Sequence, residues 1–267
     1  MKKTILITGS TDGIGKLAAI KLAKDGHEIY LHGRNADKLR AVISEIKDES
    51  NNENIKGFVA DFSNLNVVQK MATKVNKELS KLDVLINNAG VYKSAVSKTV
   101  NDLDVRFAVN YFAPYVLTEG LLTLLKKGKD SRVINLSSAA QAPVSMEALI
   151  GNEQLSTQEA YAQSKLALTM WSFQLAEKET ALTVIAVNPG SLLNTKMVKE
   201  GFGFHRSSAD KGANILYDLA TSLKYESASG KYFDNDIENF GTIHPAGSDK
   251  QAIRTLVEKT ENLVDKL

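Results

Sequence analysis

The chain contains no cysteine. Disulfide frameworks, thiolate metal sites, iron–sulfur clusters and cysteine nucleophiles are excluded, and the composition fits a reducing compartment. Charge of one sign is also scarce: 33 Lys and Arg face 31 Asp and Glu, a net of +2. That balance leaves no broad basic face for a nucleic-acid backbone. Long apolar runs are missing too. The first, Ile5-Leu6-Ile7, is three residues long, where a signal peptide needs about 7–15. No stretch approaches the ~20 apolar residues of a membrane span. His27, His32, His205 and His244 show no ligand spacing, so no metal site is expected. These gaps describe a cytoplasmic protein with neither nucleic acid nor membrane as partner.

What is present is the making of one α/β domain over residues 1–267, with 43% apolar and 24% charged residues and no repeats or linker. Strands are expected over 4–8, 28–32, 55–60, 84–87, 132–136, 183–188 and 231–233. Helices are expected over 13–25, 36–47, 65–79, 102–125, 158–179, 209–223 and about 249–265. Strands alternating with helices imply right-handed crossovers and a parallel sheet. Runs apolar on both faces, such as Thr4-Ile5-Leu6-Ile7, fit strands covered from both sides. Irregular stretches over 139–157, 191–208 and 234–248 follow the last three strands. In open α/β sheets such carboxyl-end loops build the site.

The first strand runs into Thr8-Gly9-Ser10-Thr11-Asp12-Gly13-Ile14-Gly15 and then a helix. Glycines at this turn let the backbone approach a ligand, and the helix start offers free N–H groups to a pyrophosphate. Taken alone, the loop also reads as a tight strand-to-helix turn, and Asp12 counts against a nearby phosphate. After the second strand, where an acidic residue would bond a ribose 2′-hydroxyl, the chain reads Gly33-Arg34-Asn35. A guanidinium matches a 2′-phosphate bidentately, which favours NADP (NADPH) over NAD. The plain alternative is a solvated Arg opening a helix.

Asn87-Asn88-Ala89-Gly90, Asn110, Ser137-Ser138, Tyr161-x-x-x-Lys165 and Asn188-Pro189-Gly190 follow in order. With the glycine loop, this ordered set resembles the short-chain dehydrogenases/reductases over essentially the whole chain. The long 138-to-161 spacing, Ser164-Lys165-Leu166-Ala167 and Ser229-Gly230-Lys231-Tyr232-Phe233 are similar to the retinol-dehydrogenase and WW-domain-oxidoreductase branch. The resemblance implies a Rossmann-like doubly wound parallel sheet of about seven strands with helices on both faces. It implies Tyr161 as general acid/base, Lys165 as its helper and ribose ligand, Ser138 on the substrate carbonyl, and Asn110 holding a relay water. It implies that Asp61, with Phe62 beside it, meets the adenine and that Asn88, Ala89 and Gly90 line the adenosine. Pro189, Gly190 and Leu192 then lie by the nicotinamide. Its carboxamide contact falls on Thr195, one residue later than usual, with Asn194 in the usual place.

Chemistry supports parts of this. Tyr161 and Lys165, four apart, share a helix face. A free Tyr has a pKa of ~10, and a neighbouring ammonium and an oxidised nicotinamide both favour the phenolate. Pro114 has no N–H to give the carbonyl of Asn110, so the helix should kink there. Gly201, Phe202, Gly203 and Phe204 suggest a lid over an apolar substrate. The expected function is NADP-dependent interconversion of an alcohol and a carbonyl, with an NADP-binding regulator lacking turnover as the alternative. The helices over 104–125 and from 158 are apolar nearly all round, which predicts a homodimer or larger assembly, the alternative being that the stretch over 139–157 or the terminal helix covers those faces within one chain.

Overall fold

The computed structural model describes residues 2–266; Met1 and Leu267, the ends of the expected 1–267 domain, lie outside the described residues. The chain runs β1 (Thr4–Ile7), α1 (Gly13–Lys24), β2 (Glu28–Gly33), α2 (Ala36–Ser50), β3 (Ile55–Val59), α3 (Leu65–Glu78) and β4 (Val84–Asn87). It continues through α4 (Val105–Phe107), a π-turn (Ala108–Phe112), α5 (Ala113–Leu125), β5 (Arg132–Leu136), α6 (Met146–Leu149), α7 (Thr157–Lys178) and β6 (Thr183–Asn188). It ends with α8 (Lys196–Phe202), α9 (Ala209–Thr221), β7 (Lys231–Asp234), β8 (Asn239–Phe240) and α10 (Lys250–Val264).

The strands form one sheet in the order β3-β2-β1-β4-β5-β6-β7-β8. All neighbours pair in parallel except β7 and β8. The period-2 alternation of strand side chains sorts the apolar residues into two cores. Ile5, Ile7, Ile29, Leu31, Ile134, Ile185 and Val187 join α1, α2 and α9 on one face. Leu6, Tyr30, Leu85, Val133 and Val184 join α3, α5, α7 and α10 on the other. The chain reverses direction across the sheet between β1 and β4, which opens a crevice at their carboxyl ends.

Several expectations are corrected. The sheet of about seven strands is borne out and, among the described residues, carries one short strand more: β8 lies inside the stretch over 234–248 expected to be loop. The stretches over 139–157 and 191–208 carry α6 and α8. The single helix expected over 102–125 is broken by the π-turn, where Ala113 N–H bonds to Ala108 O five residues back. That is the form the Pro114 kink takes. The apolar helix faces from which a dimer was expected are also packed within the chain. Leu256 and Val257 of α10 are buried in the same core as Tyr115, Leu121 and Trp171, and Tyr111 Oη meets Thr260 Oγ1 at 2.7 Å. Ala148 and Leu149 of α6 are buried there as well. The chain covers its own helices, and among the described residues no exposed large hydrophobic lies on α5 or α7.

Candidate active site

The glycine turn is built by close packing. Gly9 has φ +62°, and a side chain there would fall 2.7 Å from Ala89 Cα. One at Gly15 would fall 2.3 Å from Asn88 Nδ2. That nitrogen donates to Thr8 O (2.7 Å) and Gly9 O (2.9 Å), and Ala89 N–H donates to Thr8 Oγ1 (3.0 Å). The loops after β1 and β4 are thereby joined across the crevice. Asp12 caps α1 by accepting from Gly13 N–H (2.8 Å) and also pairs with Lys38 Nζ (2.8 Å). The Lys38 bond holds the Asp12 carboxyl below its usual pKa. The Asp12 charge is thus matched in the free chain. Among the described residues the N–H groups of Ile14 and Gly15 meet no acceptor. Bare backbone and free N–H groups at a helix start fit a pyrophosphate. Ser10 presents its backbone, not its hydroxyl, to the turn. Its hydroxyl is buried and turned inward, donating to Ile7 O (2.8 Å).

Arg34 is exposed and has no ion pair among the described residues. Asn35 caps α2, accepting from Lys38 N–H (2.8 Å). Thr11 packs over Gly33, where a side chain would come within 2.5 Å of its methyl. Lys38 was not among the expected site residues; its place in the first turn of α2, just after Arg34, was the available signal. Asp61 is exposed and accepts from Ser63 N–H (2.9 Å) and Oγ–H (2.8 Å), while Phe62 is buried.

On the far side of the crevice, α7 starts at a capping box of Ser156 and Glu159. This fixes the register of Tyr161 and Lys165. Lys165 is 4% exposed, and its Nζ donates to Leu136 O (2.7 Å) while lying 5.6 Å from the Tyr161 ring centre. Burial lowers its pKa from 10.5 to about 8. Tyr161 is half-buried, with Ser138 beside its hydroxyl. Burial raises its pKa, and the neighbouring Ser138 hydroxyl only partly opposes this. The lowered Tyr pKa expected from the sequence is therefore not a property of the chain alone. Asn110 sits in the π-turn. Its Nδ2 donates to Val91 O (3.0 Å) and Ser164 Oγ (3.0 Å), and its Oδ1 accepts from Val91 N–H (2.8 Å). A side chain at Gly90 would lie 3.4 Å from Asn110 Oδ1 and 3.6 Å from Lys165 Nζ. Gly90 is bare where these groups converge.

The buried Lys165 has a measurable cost. With the folded pKa near 8 and the ordinary value 10.5, the folded chain binds this proton more weakly than the unfolded chain. The penalty is full below pH 8 and is relieved as pH rises towards 10.5. Lys165→Met should therefore stabilise the chain at pH 7 by about 1–3 kcal/mol, net of the lost bond to Leu136 O. Denaturant unfolding at pH 7 and pH 10 checks this; equal or lower stability of the variant at pH 7 would overturn it.

After β6, Asn188 Nδ2 donates to Asp234 Oδ1 (2.8 Å) and Asp236 Oδ2 (2.9 Å). Asp236 also accepts from Ser191 N–H (2.8 Å) and its hydroxyl, and Asn235 Nδ2 donates to Pro189 O (2.9 Å). The β7–β8 turn thus holds Pro189, Gly190 and Ser191 in place. Burial pushes the Asp236 carboxyl up, but the Ser191 bonds outweigh it and hold the pKa below the usual range. Asp236 and Asn235 were missed because their partners lie about 45 residues away in sequence. Leu192 takes φ +50°. Thr195 caps α8 and its methyl would be 3.7 Å from a Gly13 side chain, while Asn194 is exposed. Tyr92, also missed, meets Tyr161 edge-on at 5.1 Å and stacks on Phe202 at 5.2 Å. Phe204 is not brought to the site; it is exposed beside Arg206. No helix among the described residues is long and apolar enough to cross a membrane, and no group of three His, Asp or Glu among them could hold a metal.

The family model of the short chain dehydrogenases matches residues 3–203. The chain therefore belongs to that family and is an oxidoreductase acting on CH–OH donors. It is 31% identical to mouse retinol dehydrogenase 13 over 98% of this chain and 84% of that protein. It is 32% identical to human polyprenol dehydrogenase over 88% of this chain and 78% of that protein. Among solved structures, a short chain dehydrogenase from Escherichia coli CFT073 complexed with NADPH superposes with a TM-score of 0.72 at 27% identity, covering 87% of this chain and 96% of that one.

Proposed function

We propose that the chain interconverts an apolar alcohol and its aldehyde or ketone with NADP(H), using Tyr161 as general acid/base. The observation that carries this is the convergence of Asn110 and Lys165 on bare Gly90, with Tyr161 beside Lys165 and Ser138 beside Tyr161, across the crevice from the glycine turn. Bound NADPH supplies the hydride at its nicotinamide. Ser138 Oγ and Tyr161 Oη both reach one carbonyl oxygen, and Tyr161 gives it the proton. Lys165 Nζ, near the Tyr161 ring, favours the phenolate that remains. Asn110 holds the loop after β4 to α7. Tyr92, Met197 and Phe202 present apolar surface beside the reacting groups, which favours an apolar substrate. The names of the retinol and polyprenol relatives agree with that choice. Arg34 and Lys38 favour the 2′-phosphorylated cofactor, as does the NADPH held by the Escherichia coli structure. NADPH consumption over a panel of apolar aldehydes and ketones tests the reading. Binding of NADPH without turnover of any member would favour a regulator.

We further read the chain as one unit that stands alone. The two cores share one sheet, and α6 and α10 cover the helix faces that suggested a partner. Light scattering at micromolar concentration should give a mass near 29.1 kDa. Twice that mass would restore the dimer.

A further inference from the structure

His32 lies at the end of β2, directly under the glycine turn, with 3% of its surface exposed. Both ring nitrogens are engaged. Gly9 N–H donates to Nδ1 at 3.0 Å, and Nε2 lies 3.0 Å from Ala60 O. A carbonyl accepts only, so Nε2 must carry the hydrogen; an N–H donor faces Nδ1, so Nδ1 must not. The partners thus specify one neutral tautomer. The ring stacks on Phe62 with centroids 4.0 Å apart. The backbone repeats the link: His32 N–H donates to Ser10 Oγ (3.0 Å), and Ser10 N–H donates to His32 O. One side chain therefore ties the turn after β1 to the end of β3, where Asp61 and Phe62 stand.

We propose that His32 is a positioning residue for the dinucleotide, its neutral ring setting the Gly9 turn relative to the adenine side of the crevice. This rests on the cofactor reading above. A core histidine serving only to fill space needs neither of its two bonds to fall on loops that flank the crevice. Here both do, and the bond to Gly9 fixes an amide in a turn that φ +62° already confines to glycine. Protonation would set an N–H against the Gly9 N–H and release the turn. The fold prevents this. Burial holds the ring pKa at about 4, against the Ala60 carbonyl and Asp61, the charged side chain that acts on it. The ring is therefore a fixed bracket at neutral pH.

Asparagine and glutamine separate the two bonds. The Asn carboxamide reaches the level of Nδ1 and can accept from Gly9; the Gln carboxamide reaches the level of Nε2 and leaves Gly9 N–H unpaired. Titration calorimetry and steady-state kinetics on the full chain, with NADP⁺ and NAD⁺, read the difference. His32→Gln should weaken both dinucleotides about tenfold, as one lost hydrogen bond implies, with kcat at saturating cofactor within about twofold. His32→Asn should stay within about threefold of the wild type by keeping that bond. Nitrogen NMR of the wild type at pH 6 should show a neutral ring protonated at Nε2. Equal binding by His32→Gln and wild type, equal losses in both variants, or a ring protonated at Nδ1 would each overturn the proposal. If His32→Gln does not fold, the asparagine variant and the NMR spectrum decide. Wild type that binds neither dinucleotide refutes the cofactor reading instead, and the NMR result still judges the tautomer.

Discussion

Replacing Tyr161 by phenylalanine should lower kcat about 10³-fold, within the range general acid/base catalysis supplies, and leave NADPH affinity close to that of the wild type. The ring is kept, so its edge contact with Tyr92 at 5.1 Å survives. Only the hydroxyl is lost, and with it the proton it would give. Burial raises the Tyr161 pKa, while burial brings Lys165 down to about 8. Both shifts favour uncharged forms, so the chain alone holds a phenol ready to give its proton. Carbonyl reduction needs that form. The reverse reaction needs the phenolate, and its rate should rise with pH until the phenol has titrated. Stopped-flow single turnovers with a reducible aldehyde check the assignment. A variant retaining more than about a tenth of the wild-type rate would place the proton elsewhere.

How legible these features were in the sequence depended on their range. The strands were legible because Ile5, Leu6 and Ile7 are apolar on both faces, and only a doubly covered parallel sheet uses such a run. Strand β8 was not legible: it is two residues long in a polar stretch, and Phe240 is held there by Phe233 and Tyr225, both outside its local pattern. The π-turn was half-legible. Pro114 announces a missing N–H, but a proline does not say whether the helix bends or widens. What covers the long helices was left open for a related reason. An all-round apolar helix reports that every face is covered, not whose residues cover it. Only the return of α10 places Leu256, Val257 and Thr260 there. In the site, Tyr161 and Lys165 were legible as a pair one helical turn apart. Ser10, Tyr92, Asn235 and Asp236 were not, because their orientation is set by partners outside their own element.

Arg34→Ala should weaken NADPH about 30- to 100-fold, the loss of a charge-assisted fork, and change NADH by less than about twofold. The argument is one of vacancy. The neighbouring lysines are committed: Lys16 to Glu45 and Lys38 to Asp12. Arg34 is exposed beside Gly33, where the absence of a side chain leaves Thr11 in direct contact with the strand end. A 2′-phosphate arriving there meets a free guanidinium at the start of α2, whose helix dipole adds to the attraction. It also meets Lys38, which must leave Asp12 to join. Asp12→Asn frees Lys38 at the outset and should tighten NADPH about two- to threefold, the scale of a solvent-exposed pair. NADH, lacking the phosphate, should gain nothing from either cation. Equal losses of NADPH and NADH in Arg34→Ala would mean that Arg34 serves the turn rather than the phosphate. Loss of the NADPH preference in Lys38→Ala with Arg34 intact would move the recognition one helical turn along α2.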